Sequence, residues 1–144
     1  MKYFTQDLIV RGKSEDDTAL NALEALWDER CDQYFRYLES IKAAMPRGVR
    51  HRHDNYYLHD ALIRAMGQRG NAFVIVLQLD TPPRSLITFT YDLLSEPIIQ
   101  KETLPPEHCG TGSTVAWEYD EIEMVQGAPP TWRQSILLGN GWEV

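Results

Sequence analysis

A chain of 144 residues is enough for one hydrophobic core, because folding at this size buries roughly two-thirds of the surface that the unfolded chain exposes. Its 43% hydrophobic, 10% aromatic and 24% charged content excludes disordered and fibrous classes. Fourteen Lys and Arg against twenty-one Asp and Glu, a net charge of −7, exclude nucleic acid and anionic membrane as principal partners, since a polyanion needs excess positive charge to hold it, and leave a basic protein or a metal ion.

The opening residues hold no apolar run of signal-peptide length, and no stretch reaches the roughly 18 apolar residues of a membrane span, which predicts a cytoplasmic protein. Two cysteines, Cys31 and Cys109, without an export signal are expected to stay as thiols. Ser14-Glu15-Asp16-Asp17 reads as a helix start, with a hydroxyl to cap free amides and acids to meet the positive end of the dipole. From Leu20 the apolar positions Leu23, Trp27, Cys31, Tyr34, Leu38, Ile41 and Met45 follow in steps of three and four, which places them on one buried face. Pro46 and Gly48 end this helix, expected at about thirty residues and roughly 45 Å.

A second, shorter helix is expected over 55–66, capped by Asp54 or Asn55 and stopped by Gly67 or Gly70, with Leu58, Ala61, Leu62, Ala65 and Met66 on its buried face. Near Asn71 the apolar rhythm changes to two. Residues 73–79 read as a central strand and 85–91 as its hairpin partner, with Asp80-Thr81-Pro82-Pro83-Arg84 as the turn. Residues 95–113, with Pro97, Pro105 and Pro106, read as a long surface loop. Val115, Trp117 and Tyr119 alternate with Glu118 and Asp120 until the phase jumps to Ile122 and Met124, which predicts a β-bulge near Asp120-Glu121. Residues 132–138 make a further strand, Asn140-Gly141 a tight turn, and 142–144 the start of a last strand. The whole predicts a single α+β domain over 1–144: one long and one shorter N-terminal helix packed on a four- to five-stranded antiparallel sheet, a meander with a long proline-rich loop.

Several segments carry a resemblance that spans nearly the whole chain. Met1-Lys2-Tyr3-Phe4-Thr5, the helix with Trp27, Leu58-His59-Asp60-Ala61, Leu79-Asp80-Thr81-Pro82-Pro83, Leu104-Pro105-Pro106-Glu107-His108, Tyr119-Asp120-Glu121-Ile122 and the run from Ser135 through Asn140-Gly141-Trp142-Glu143-Val144 together resemble a family of uncharacterised bacterial proteins. The resemblance implies no activity, cofactor or ligand. It does single out His59, Asp60, Asp120 and Glu121, which lie inside the resembling segments. Members of that family continue the last strand for several residues after Gly-Trp-Glu-Val, so a stunted final strand or an open sheet edge is expected here.

The densest group of ligand-type side chains is Arg50-His51-Arg52-His53-Asp54 with His59-Asp60, which holds three of the four histidines. In an extended segment His51 and His53 would point the same way, with His59 in the following helix, a donor set of the kind zinc or iron takes. The spacing matches no established metal motif, and capping by Asp54, an Asp60–Arg64 ion pair and solvated histidines account for the same residues. Arg47, Arg50 and Arg52 form a basic hook beside a helix N-terminus, an anion-binding candidate. Their competing fate is to pair with first-helix acids such as Glu24, Asp28, Glu29 and Asp32.

A second acidic group, Glu118, Asp120, Glu121 and Glu123, with Asp80 and Asp92 as further members, could bind a cation or perform acid–base chemistry if held close. Strand alternation alone puts Glu118 and Asp120 on the solvent face. The candidate metal set is therefore His59, Asp60, Asp120 and Glu121, and it requires the second helix to face the bulged strand. Cys109 beside His108 makes no thiolate pair, because adjacent side chains diverge. Gly110-Thr111-Gly112-Ser113 lacks the third glycine and the following helix of a phosphate loop.

No catalytic signature and no cofactor motif emerges. The expected function is that of a non-enzymatic acidic interaction module that binds a basic protein, as toxin-neutralising immunity proteins do. The alternative is a small metal-binding protein or hydrolase built on the His/Asp/Glu cluster. An exposed last strand would also template an edge-to-edge homodimer.

Overall fold

The computed structural model describes residues 1–11, 17–101 and 114–144. Helices α1 (Gln6–Arg11), α2 (Asp17–Ile41) and α3 (Arg47–Asn55) precede strands β1 (Ala61–Arg69), β2 (Ala72–Gln78), β3 (Leu86–Asp92), β4 (Val115–Val125) and β5 (Thr131–Leu138). The strands form one sheet in the order β3-β2-β1-β4-β5, antiparallel where β1 meets β2 and β4 and where β2 meets β3. Only residues 126–130 join β4 to its neighbour β5, too short for a parallel crossover, so that pair is antiparallel as well. The result is the α+β architecture expected. Among the described residues no helix is long and apolar enough to cross a membrane. The expected cap at Ser14, the His108–Cys109 pair and the 110–113 glycine run lie outside the described residues.

Two compact units divide the chain, Met1–Tyr56 with Asp120–Ser135 and Tyr57–Tyr119 with Ile136–Val144. In the first unit, the apolar face of α2 is the one its spacing predicts. Leu23, Trp27 and Cys31 are half-buried and Tyr34, Leu38, Ile41 and Met45 are buried, the last beyond a 3-10 turn at Lys42–Ala44. Tyr3 and Phe4 pack onto this face, with ring centroids 5.2 Å from Tyr3 to Tyr34 and 5.3 Å from Phe4 to Trp27. The helix also meets the far half of β4 through polar atoms. The Ile122 and Met124 amides donate to the Tyr34 and Tyr37 hydroxyls at 2.7 and 2.8 Å, so two tyrosines take the place of a neighbouring strand along that stretch. Burial lifts the Tyr34 hydroxyl far above its ordinary pKa, with the charge of Asp120 adding to the effect.

The second unit holds β1, β2 and β3 with the first part of β4 and the last part of β5. Phe73, Ile75 and Leu77 of β2 are buried on one face, opposite half-buried Val74 and Val76, the alternation of a strand with one deep and one shallow side. Trp117 of β4 and Ile136, Leu137 and Leu138 of β5 complete this core. The β2–β3 hairpin pairs from Ala72↔Asp92 to Gln78↔Leu86, within one residue of the expected strand ends. After β5 the chain folds back. Ile136 and Val144 exchange backbone hydrogen bonds of 2.8 and 2.9 Å, and Glu143 exchanges another pair with Gln100 at 2.8 and 2.9 Å. The last strand expected over 142–144 does not form as a strand of the sheet; the segment is held by isolated bridges from Glu143 to Gln100 and to Leu137.

The second helix is where sequence and structure part. The helix expected over 55–66 does not form; the shorter helix is α3, which ends at Asn55, and 61–69 form strand β1. Apolar residues at 58, 61, 62, 65 and 66 satisfy a helical period, but Ala61, Leu62 and Ile63 pair with Trp117, Ala116 and Val115 of β4, and β2 pairs along the other edge. A segment with partners on both edges takes the strand conformation whatever its local preference. Gly70, at φ 61, does not stop a helix; with Asn71 it forms the two-residue turn between Arg69 and Ala72, a glycine-first hairpin turn. The β4 phase break falls where the sequence places it: Trp117 is buried, and then the adjacent Glu121 and Ile122 are both buried.

Candidate metal centre

The turn that leads into β1 is built from Leu58-His59-Asp60-Ala61. The Ala61 amide donates to the Leu58 carbonyl at 2.9 Å, and Asp60 sits at φ 65, so the third residue of the turn is left-handed, as in a type II turn. Asp adopts that region more readily than most side chains because it is short and polar. The Asp60 amide in turn donates to the Trp117 carbonyl at 2.9 Å, which locks the turn against β4. The register Ala61↔Trp117 then brings the turn alongside Glu118.

His59, Asp60 and Glu118 each contribute a donor atom to a group whose members lie within 4.8 Å of one another. The His59 Nδ1 stands 2.6 Å from the Glu118 backbone carbonyl. A carbonyl can only accept, so Nδ1 carries the proton, and in the neutral ring Nε2 holds the free lone pair. That Nε2 is 3.7 Å from Asp60 Oδ2. The ring itself is wedged by aromatics, with the Tyr119 centroid at 5.0 Å and the Tyr57 ring edge-on at 6.1 Å. His59 and Glu118 are half-buried and Asp60 is exposed. Among the described residues no Lys or Arg forms an ion pair with Asp60 or Glu118.

The other members of the expected metal set have different work. Asp120 accepts two hydrogen bonds from Arg52, at 2.7 and 3.3 Å, and one from Gln134 at 2.9 Å; the Arg52 and Asp120 side chains are only 10% and 15% exposed. Glu121 is buried and accepts the backbone amides of Lys2, Tyr3 and Phe4 at 2.6, 2.7 and 2.7 Å. Both carboxylates therefore spend their lone pairs inside the first unit. Glu123 pairs with Arg133 at 3.3 Å on the surface.

The arginine hook is divided in the same way. Arg52 pairs with Asp120 of β4, whereas Arg47 is exposed and Arg50 half-buried. His51 and His53 are on α3, where residues two apart point in different directions, and His51 faces Asn55 at 3.1 Å. Arg64, expected beside Asp60 on a helix, instead donates to the Gln78 side chain across β1 and β2. Glu118 is the member that sequence reasoning left on the solvent face. No local signal marks it, because only the β1–β4 register carries His59 to it.

Comparison with family models, with curated proteins and with solved structures returns no match.

Proposed function

We propose that this protein binds a divalent first-row transition metal through His59 Nε2 and the carboxylates of Asp60 and Glu118. One nitrogen and two carboxylates suit zinc, iron or manganese better than calcium, which takes oxygen alone. The observation that carries the reading is the hydrogen bond from His59 Nδ1 to the Glu118 carbonyl. Metal-ligating histidines almost always donate their second ring nitrogen in this way, which fixes the tautomer and aims the lone pair. Donors bonded to one zinc at about 2.0–2.2 Å stand roughly 3.4 Å apart. The 3.7 Å between His59 and Asp60 is close to that value, and the wider 4.8 Å limit of the group exceeds it by roughly 1.4 Å, a gap that rotamer changes of the carboxylates can close.

Calorimetric titration with zinc chloride tests the reading. One equivalent is expected to bind, and His59→Ala or Glu118→Gln to weaken binding by at least about tenfold. The absence of binding, or binding that ignores both substitutions, overturns it; metal content by mass spectrometry after native purification gives an independent check. A second reading, an acidic interaction module, draws support from Glu24, Asp28, Glu29 and Asp32, all exposed along α2. Reversal of those four charges should release a co-purifying basic protein and leave zinc binding unchanged.

A further inference from the structure

The Gly139-Asn140-Gly141 turn contains one residue that turn chemistry does not explain. Gly141, at φ 77, occupies the left-handed region that favours glycine. Asn140 accepts the Trp142 amide on its side-chain oxygen at 3.2 Å, the usual service of Asn in a turn. Gly139 has an ordinary backbone conformation. What it lacks is room: a Cβ there would stand 2.8 Å from Glu118 Oε1, with Ala116 next at 3.6 Å. The Gly139 amide also donates to the Ala116 carbonyl at 2.8 Å, so its backbone is tied to the strand that carries Glu118 and cannot drift away.

We infer that Gly139 is a positioning residue of the cation site, and that its missing side chain is what allows the Glu118 carboxylate to lie where it meets His59 and Asp60. The inference rests on the metal-binding reading above. Glu118 is therefore placed twice over. Its carbonyl orients His59, and the bare backbone of Gly139 leaves space for its carboxylate. Because the atom in the way of a Cβ is the tip of a flexible side chain, an alanine at 139 moves the carboxylate and leaves the strand in place.

The test is Gly139→Ala beside Asn140→Ala, which perturbs the same turn without touching Glu118. Zinc affinity by calorimetry is expected to fall about tenfold or more in Gly139→Ala, the range for residues that orient a ligand, with little change in melting temperature. Asn140→Ala should lower the melting temperature and keep zinc affinity. Equal affinity of Gly139→Ala and wild type overturns the inference, as does a loss in both variants that follows their stability. If the wild type itself binds no zinc, the metal reading fails separately, and a crystal structure of Gly139→Ala decides the positioning role. A Glu118 carboxylate displaced by more than about 1 Å supports it, and an unmoved one sinks it.

Discussion

Glu118 and the pair Asp120-Glu121 stand within three positions of one another on β4, yet they occupy opposite kinds of surroundings. In the first unit, Asp120 has a bidentate arginine and a glutamine, and Glu121 has three backbone amides. Each charge there is matched by donors that are part of the fold. In the second unit, Glu118 and Asp60 converge with His59, and among the described residues no Lys or Arg pairs with either acid. Carboxylates matched by fixed donors hold a structure together, whereas acids gathered without such donors repel one another, a repulsion that a bound cation would relieve. The difference teaches that charge type and sequence distance say little about role; the count of donors around each oxygen says much.

The sharpest way to break this comparison is to remove the arginine. Arg52→Ala leaves Asp120 buried without its main partner, and loss of one member of a buried pair costs about 3–5 kcal/mol. Urea unfolding should show that loss. Glu121→Gln comes next, because an amide keeps one acceptor but turns an NH2 toward a backbone amide. With charge-assisted hydrogen bonds worth about 1.5–3 kcal/mol each, a loss in that range is expected by the same measurement. A stability change near zero in either variant would mean that the matched set is not structural.

A smaller effect is expected at Tyr34, which links α2 to β4. Tyr34→Phe removes the acceptor of the Ile122 amide and should cost about 0.5–1.5 kcal/mol at neutral pH. The pH dependence supplies a signature. The folded-state pKa of Tyr34 is raised above the ordinary 10.0, chiefly by burial, so above that pH the unfolded chain gives up a proton that the folded one keeps. Stability is then fully present below pH 10.0 and falls as pH rises beyond it. Denaturant melts through that window should show a steeper decline for wild type than for Tyr34→Phe.

Much of the architecture was legible because it rests on repeating patterns. The three-and-four steps of α2 and the alternation in β2, β3 and β5 each repeat over several residues, and tertiary contacts agree with them. β1 differs from its expected helix because Leu58, Ala61, Leu62, Ala65 and Met66 satisfy a helical period by chance, while the deciding interactions come from β2 and β4. Gly70-Asn71 carried the correction, since that pair marks a hairpin turn as readily as a helix stop. Two of the candidate site residues, His59 and Asp60, come together with a third that only strand register reveals. Asp120 and Glu121 could not be separated from Glu118 by sequence, because their partners, Arg52 and the amides of Lys2, Tyr3 and Phe4, are more than sixty residues away along the chain.

The smallest stability effects are expected at the site itself, and they complete the comparison. Asp60→Asn keeps a residue that tolerates the left-handed backbone at φ 65 and removes one of the two converging charges. Glu118→Gln removes the other and leaves the backbone carbonyl that orients His59. Neither substitution breaks an ion pair with Lys or Arg among the described residues, so both should change stability by less than about 0.5 kcal/mol. Addition of zinc should raise the melting temperature of the wild type, since a ligand that binds only the folded state stabilises it by mass action, and should raise it less in either variant. If Asp60→Asn or Glu118→Gln cost as much as Arg52→Ala, these acids would be structural like their neighbours on β4, and the contrast between the two units would vanish.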